Sequence, residues 1–534
     1  MSWLQQRPGL FFTQIVAEAR GVFLARGFLE SQFKGQDWRC CMKSHLDVII
    51  LGAGFSGIGL GVKLLEAGKR NFAILEQADD IGGTWRDNTY PGSGCDTESH
   101  LYCFSFALHP TVSRVYARQP EILAYMKRIV DDNGLHPYIR LGARVTSVKW
   151  DEEALLWNVS LADGSVLTAR NFVAAWGQLN RPQTPVIEGQ DAFKGVQFHS
   201  ARWRHDIDLS GKRVASIGNA ASAVQYIPEI APIVGHLDVF QRSPNWVVPR
   251  MDRPYTEKEI EDYCTIPNFF ATHREELFEW RETTFLRMKQ GSAEAEELER
   301  VAMEHLQNQV PNPELRKKLT PDYPLGCKRI LRSDDYFPAI VRENVSLVTS
   351  GVSRIESEGI VTADGELHPV DVVIYGTGFE TQSFQGPVEV VGREGHSLRD
   401  TWKEGAYAYL GMCVSGFPNF FVMYGPNTNL GHNSILSMLE AQFSYVLQAL
   451  AAQDELGVEA LEVRPTVVSR FNAELQGEMD DAAWSGGCNS WYKNAEGKVI
   501  NNWSGTVHQY HDKTRRFVSG EFMILSLSET ARQN

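Results

Sequence analysis

The most regular pattern along the chain is a short aliphatic run that stops at glycine and gives way to a helical repeat. Leu46–Leu51 (LDVIIL) reads as a buried strand. It is followed by Gly52-Ala53-Gly54-Phe55-Ser56-Gly57 and then by apolar positions Leu60, Leu64 and Leu65 at helical spacing. The same order recurs at Val214–Ile217, followed by Gly218-Asn219-Ala220-Ala221-Ser222-Ala223 and a second helical repeat. Two further segments have the strand-to-glycine form, NFVAAWGQLNRPQTPVIEG at 171–189 and VVIYGTGF at 372–379. Over 250–323 the pattern changes to charged, helix-periodic sequence with aromatic residues on recurring faces, which predicts an inserted helical subdomain. Its Phe269, Phe270, Phe278 and Trp280 fit either a packed core or a hydrophobic substrate entrance.

Composition narrows the class. A chain of 534 residues is too long for one core. With 43% hydrophobic and 22% charged residues it is an ordinary globular sequence. The net charge of −14 offers no positive field for nucleic acid or an anionic membrane. The uncharged stretch Val48–Val62 falls short of the ~20 residues of a spanning helix, so no membrane span is expected. Eight cysteines, at 40, 41, 95, 103, 264, 327, 413 and 488, show neither CxxC nor paired zinc spacing. They read as reduced, mostly buried thiols of a cytoplasmic protein, with no metal site. Residues 1–41 lack the compact apolar region of a secretory signal and read as an N-terminal extension, with Met42 opening onto the first strand.

The glycine runs carry chemistry because of where they stand. After a strand, Gly52 permits the tight turn, Gly54 leaves room for a pyrophosphate, and Gly57 lets the helix press onto the strand. The helix N-terminus, with Phe55 and Ser56, turns free N–H groups toward the phosphates. Glu76 ends the next strand, NFAILEQ, where a carboxylate accepts from ribose hydroxyls. In the second unit Ala220 replaces the middle glycine. The strand after it ends in Gln241-Arg242, and an arginine there suits the 2′-phosphate of NADP. Two such units imply two dinucleotides, a flavin and a nicotinamide. The predicted fold is α/β, with two Rossmann-like dinucleotide-binding domains, for FAD and NADP, and the helical insert. The expected order is an FAD domain over 42–180, an NADP domain over 181–249, the insert over 250–323, an NADP return over 324–365, and an FAD return over 366–534. Gly376, Thr377 and Gly378 are assigned to that FAD return.

Phe193-Lys-Gly195-Val-Gln-Phe-His199-Ser-Ala-Arg-Trp203 has the spacing FxGxxxHxxxW. It resembles the fingerprint of type I (class B) Baeyer–Villiger flavin monooxygenases, with Arg204 where Pro or Asp usually follows the Trp. GGTWRDNTYPGSGCDTESHLYCFSF at 82–106 is similar to the family's flavin-contacting segment, and YPLGCKRILRSDDYF to the segment with its lysine–arginine pair. YGPNTNLGHNS at 424–434 is similar to a late flavin-domain segment. The resemblance implies that Gly82, Gly83, Thr84, Trp85 and Tyr90 lie along the flavin and that Asp96 is the active-site aspartate. It places Arg329 at the reactive edge, Lys328 with Arg242 on the 2′-phosphate, and Asn429 near the flavin. His199 and Trp203 are implicated in domain motion and Trp491 in a closing loop. Arg86 stands where some members carry an aromatic residue.

The implied reaction has NADPH reduce FAD and the reduced flavin add O2 to give a C4a-peroxyflavin. This inserts one oxygen next to a ketone carbonyl, yielding an ester or lactone. Arg329 keeps the oxygen adduct anionic, while Asp96 holds the guanidinium and assists deprotonation. Two other readings stay open: an N- or S-oxygenating flavin monooxygenase, which does not need Arg329, and a redox sensor that carries flavin without turnover. A disulfide reductase is disfavoured, because no cysteine pair flanks the flavin motifs.

Overall fold

The computed structural model describes residues 45–488 and 490–527. The expected N-terminal extension, with Cys40 and Cys41, lies outside the described residues. The first strand, β1 (Leu46–Leu51), pairs in parallel with β2 (Phe72–Leu75) on one side and β3 (Val166–Ala174) on the other. Strand Phe420–Val422 pairs in parallel with β3. Antiparallel strands Val145–Asp151 and Leu156–Leu161 extend the same eight-stranded sheet. β1 and β2 are apolar except at Asp47, and buried at every other position, because both sheet faces are covered. Helix α1 (Phe55–Glu66) lies between β1 and β2 in the chain, the order of a parallel crossover.

A second sheet has five strands. They are β4 (Val196–His199), β5 (Arg213–Ile217), β6 (His236–Phe240), β7 (Val345–Val348) and β8 (Val372–Tyr375), ordered β7-β6-β5-β8-β4 and all parallel. Helix α2 (Ala221–Ile230) follows β5. Two sheets, one mixed and one parallel, each containing a strand–glycine–helix turn, make the α/β fold of two Rossmann-like units. One assignment is corrected. Val372–Tyr375, expected to return to the flavin sheet, instead pairs with β5 and β4 in the second sheet and carries Gly376–Gly378 with it. Strand-to-glycine form is common to both units, and side-chain pattern alone does not say which sheet a fully buried strand completes.

The insert is helical as predicted: α3 (Glu257–Thr265), α4 (Phe269–Thr283), α5 (Ala293–Gln309) and α6 (Pro313–Leu319). Its ends are written in the sequence. Thr256 and Glu259 form a reciprocal capping box, Ser292 caps α5, and Asn312 before Pro313 caps α6. The aromatic stripe divides: Phe270 and Phe278 are buried in the main core, whereas Phe269 and Trp280 are 41% and 45% exposed.

Helix α7 (Ile435–Leu456) is the one described helix long and apolar enough to cross a membrane, and 61% of its most apolar window is buried inside the protein. The Phe443 ring lies where a Cβ on Gly59 of α1 would stand, at 2.5 Å, and Gln442 donates to the Tyr510 hydroxyl at 3.0 Å. Core burial explains its composition. The expectation of uniformly reduced cysteines is also corrected. Cys327 and Cys488, 161 positions apart, are joined by a disulfide across a Cα–Cα distance of 6.1 Å. Cys95, Cys103 and Cys413 are buried thiols and Cys264 is an exposed one.

Candidate active site

Parallel strands end at one common edge, where α/β proteins bind ligands. On the first sheet that edge gathers Gly52 after β1, Ala175 after β3 and Tyr424 after Phe420–Val422. Gly52 has φ +110°, and a Cβ there would meet the Ala175 carbonyl at 2.5 Å. A Cβ on Gly57 would land on the Gly52 carbonyl oxygen. At Gly54, by contrast, a Cβ would enter open space, with nothing within 4 Å. This is the clearance that close approach of a pyrophosphate requires. No side chain caps α1, so its N-terminal amides are left to a ligand. Ser56 is buried in its first turn, and the Phe55 ring packs edge-on against Tyr102 and Phe104 at 5.4 and 5.5 Å. Gly82 donates its N–H to the Ala53 carbonyl at 2.9 Å, and Gly83 stands beside Gly54, so the 82–85 turn closes over the loop. Thr84 and Trp85 open the short helix Thr84–Asp87, and the Trp85 indole donates to the Tyr102 hydroxyl at 3.1 Å.

Glu76 sits beside this loop, buried, accepting from the amides of Ala53 and Ala78 at 3.0 Å each. Arg86 lies 3.1 Å from its Oε1. That pairing accounts for the arginine at the position where some relatives of this kind carry an aromatic ring: it balances a buried carboxylate.

The second sheet repeats the turn with smaller clearances. Gly218 has φ +105°, and a Cβ there would strike the Gly376 carbonyl. Gly376–Gly378 thus borders the second loop rather than the first, with Thr377 donating to the Gln183 carbonyl at 2.5 Å. Ala220 stands at the N-cap of α2 without a side-chain cap. Ser222 is half-buried and Ala223 buried in its first turn. β6 then leads to Gln241, Arg242 and Ser243. Asn219 donates to the Gln241 side chain at 2.9 Å and to the Ser243 carbonyl at 3.1 Å, fixing that corner.

Residues 328 and 329 reach in two directions. Lys328 Nζ donates to Ser243 Oγ at 2.8 Å and lies 4.3 Å from the centre of the Tyr323 ring. Burial, and then the charge of Arg242 close by, lower its pKa. Two cations facing each other at a strand end fit a phosphate. Arg329 turns to the other side and donates from Nη2 to Asp96 Oδ2 at 2.6 Å. Both side chains keep some exposure, 40% for Arg329 and 28% for Asp96. Desolvation pushes the Asp96 carboxyl up, but Arg329, with Arg332 and Arg250 behind it, outweighs this and holds it at about 2. Asp96 raises the pKa of Arg329 against desolvation. Ionised Tyr424 or Tyr492 would raise it further, and Tyr424 follows the strand Phe420–Val422 at the first sheet's ligand edge.

The remaining predicted residues divide between linking and packing. The buried Tyr90 donates to Gln225 of α2 at 2.9 Å, joining the 82–96 segment to the second unit. His199 is buried. Its Nδ1 accepts from the Ala201 amide at 3.1 Å, its ring lies edge-on to Phe379, and burial lowers its pKa. Trp203 packs against Phe198 and Tyr226 at ring distances of 5.2 and 5.4 Å. The Trp491 carbonyl accepts from Gln382 at 3.0 Å and Asn501 at 2.8 Å, and the Trp491 ring lies tilted against Tyr492, 4.7 Å between centres. Asn429 accepts from the Tyr424 hydroxyl and donates to Asn502, both at 2.7 Å. Tyr424 and Asn502 are not singled out by the sequence. Tyr424 opens the asparagine-rich turn 424–434, where it and Asn427 adopt left-handed backbone, with φ of 53° and 56°.

Residues 49–303 match the family model described as pyridine nucleotide-disulphide oxidoreductase. The chain is 40% identical over 496 residues to a Baeyer–Villiger monooxygenase of Pseudomonas aeruginosa, covering 92% of this chain and 94% of that protein. Cyclohexanone monooxygenase from Rhodococcus sp. Phi1, solved with NADP+, superposes with a TM-score of 0.82 at 28% identity, covering 91% of this chain and all of that one. OTEMO in complex with FAD and NADP gives a TM-score of 0.81 at 27% identity, with 91% and 100% covered. Shared sequence across nearly the whole length, on the same two-sheet frame, means that the chain belongs to the Baeyer–Villiger monooxygenase family.

Proposed function

We propose that this chain is an FAD- and NADPH-dependent Baeyer–Villiger monooxygenase that inserts one atom of O2 beside the carbonyl of a small-molecule ketone, giving an ester or lactone. When bound, FAD takes electrons from NADPH and activates O2. The loop Gly52–Gly57 would hold its pyrophosphate, Glu76 its ribose, and Gly82–Trp85 the run toward its ring. Gly218–Ala223 would cradle NADPH, with Arg242 and Lys328 on the 2′-phosphate.

The observation that carries the reading is the Arg329–Asp96 pair. Insertion beside a carbonyl builds negative charge on the attacking oxygen and then on the carbonyl oxygen. A guanidinium stays protonated at every working pH and can donate to both. Asp96 fixes its direction. A carboxylate held at about 2 is a poor proton acceptor at neutral pH, so Asp96 orients Arg329 rather than serving as a base. Arg329→Ala should keep its FAD and fall at least a hundredfold in ester formation while still consuming NADPH. Ester formation at the unsubstituted rate would overturn the assignment. Oxygenation of a thioether need not fall in parallel, because that reaction builds no tetrahedral oxyanion.

A further inference from the structure

Asp96 belongs to a short segment, 95–99, gripped by arginines from three separate parts of the chain. Arg250 donates to the Cys95 carbonyl at 2.8 Å, and Arg329 takes Asp96. The third grip is the tightest and the more deeply buried of the two ion pairs. Arg281, on α4 of the insert, donates from Nε to Glu98 Oε2 at 2.9 Å and from Nη2 to both Glu98 oxygens at 2.7 and 2.6 Å. Both side chains are more than nine-tenths buried. Tyr116 adds a hydrogen bond to Glu98 Oε1 at 3.0 Å, and Arg332, three residues past Arg329, reaches the Tyr116 hydroxyl at 3.5 Å. A ring thus closes from Arg329 through Asp96, Glu98 and Tyr116 back to Arg332.

Helix α4 is itself anchored. Glu282, next to Arg281, accepts from Asn433 at 2.8 Å, His432 at 3.1 Å, and the amides of Val507 and His508 at 3.2 and 3.0 Å. Adjacent residues of one helix therefore tie the 95–99 segment to the 432–433 turn, which follows the strand Phe420–Val422 and Tyr424 in the chain. A buried, bidentate ion pair is a costly device for stability alone, since apolar packing would serve as well. Its value lies in fixing a geometry.

We infer that Glu98 and Arg281 are positioning residues: they hold the 95–99 backbone so that Asp96 fixes the direction of the Arg329 guanidinium. This rests on the reading of Arg329 given above. It also gives the insert a role other than a lid, as the strut that stiffens the site from behind.

The test uses the FAD-loaded enzyme with Glu98→Gln, Arg281→Lys and Tyr116→Phe. In Glu98→Gln, FAD content and KM for NADPH should stay within twofold. Ester formed per NADPH should fall at least tenfold, the missing turnover appearing as hydrogen peroxide (NADPH + H+ + O2 → NADP+ + H2O2). Arg281→Lys, which keeps the charge but not the two-pronged contact, should lose ester yield by less than Glu98→Gln but by more than the roughly threefold loss of Tyr116→Phe. Independently of product, amide hydrogen exchange of 95–99 in the FAD-free protein should rise at least tenfold in Glu98→Gln. Unchanged exchange overturns the positioning claim. So does a parallel loss of FAD, NADPH affinity and ester yield in both Glu98→Gln and Tyr116→Phe, which would mark a purely structural pair. If exchange rises and ester yield holds, the link to Arg329 is wrong. If Arg329→Ala makes ester normally, the reading of the site fails instead, whatever the exchange shows.

Discussion

The two nucleotide turns are built on one plan and differ at one level of tightness. Gly52 and Gly218 have nearly equal φ, and each is pressed by a carbonyl from the end of a neighbouring strand, Ala175 or Gly376. Both must be glycine for that reason. The remaining positions diverge. In the first turn Gly54 faces open space and Gly57 leaves no room for a methyl group over the Gly52 carbonyl. In the second, Ala220 and Ala223 occupy the matching places, so a methyl group stands where the first turn leaves its cradle free. The second unit instead carries two cations near its strand end, Arg242 and Lys328, and on the function proposed above charge, more than backbone clearance, would hold its nucleotide.

Substitutions can break this contrast. The largest effect is expected for Gly57→Ala, whose methyl meets backbone rather than a yielding side chain. FAD retention through gel filtration should fall at least tenfold, while Ala223→Gly in the second turn should cost no more than about 1 kcal/mol of stability by chemical denaturation. Equal tolerance at both sites would remove the contrast. Next is Arg242→Ala, which should raise KM for NADPH about tenfold or more and leave KM for NADH within twofold, as for loss of one charge-assisted contact to a phosphate. Similar rises for both would show that the 2′-phosphate lies elsewhere. The smallest is Ala220→Gly, for which steady-state kinetics should show less than a threefold change in KM for NADPH, because charge and not backbone clearance sets that affinity.

The contrast also explains what was legible before the fold was known. β1, α1 and the Gly52 turn stand out because strand, turn and helix each leave a local signature within 21 residues. The second unit was legible up to Arg242 for the same reason. Val372–Tyr375 was assigned to the wrong sheet because a strand buried on both faces carries no mark of its neighbours. The Cys327–Cys488 bond and the Glu98–Arg281 pair span 161 and 183 positions, and nothing in local spacing announces contacts at that range. Asp96 and Arg329 were identified through resemblance, not periodicity. Their meeting at 2.6 Å is a property of the folded chain.

The central claim is that neighbouring residues serve opposite units, Lys328 the nicotinamide nucleotide and Arg329 the oxygen chemistry. The most direct measurement compares Lys328→Ala with Arg329→Ala for two quantities, the preference for NADPH over NADH and the ester formed per NADPH consumed. Lys328→Ala should lose the preference and keep the yield; Arg329→Ala should keep the preference and lose the yield. If both variants fail in the same quantity, the division of labour is contradicted.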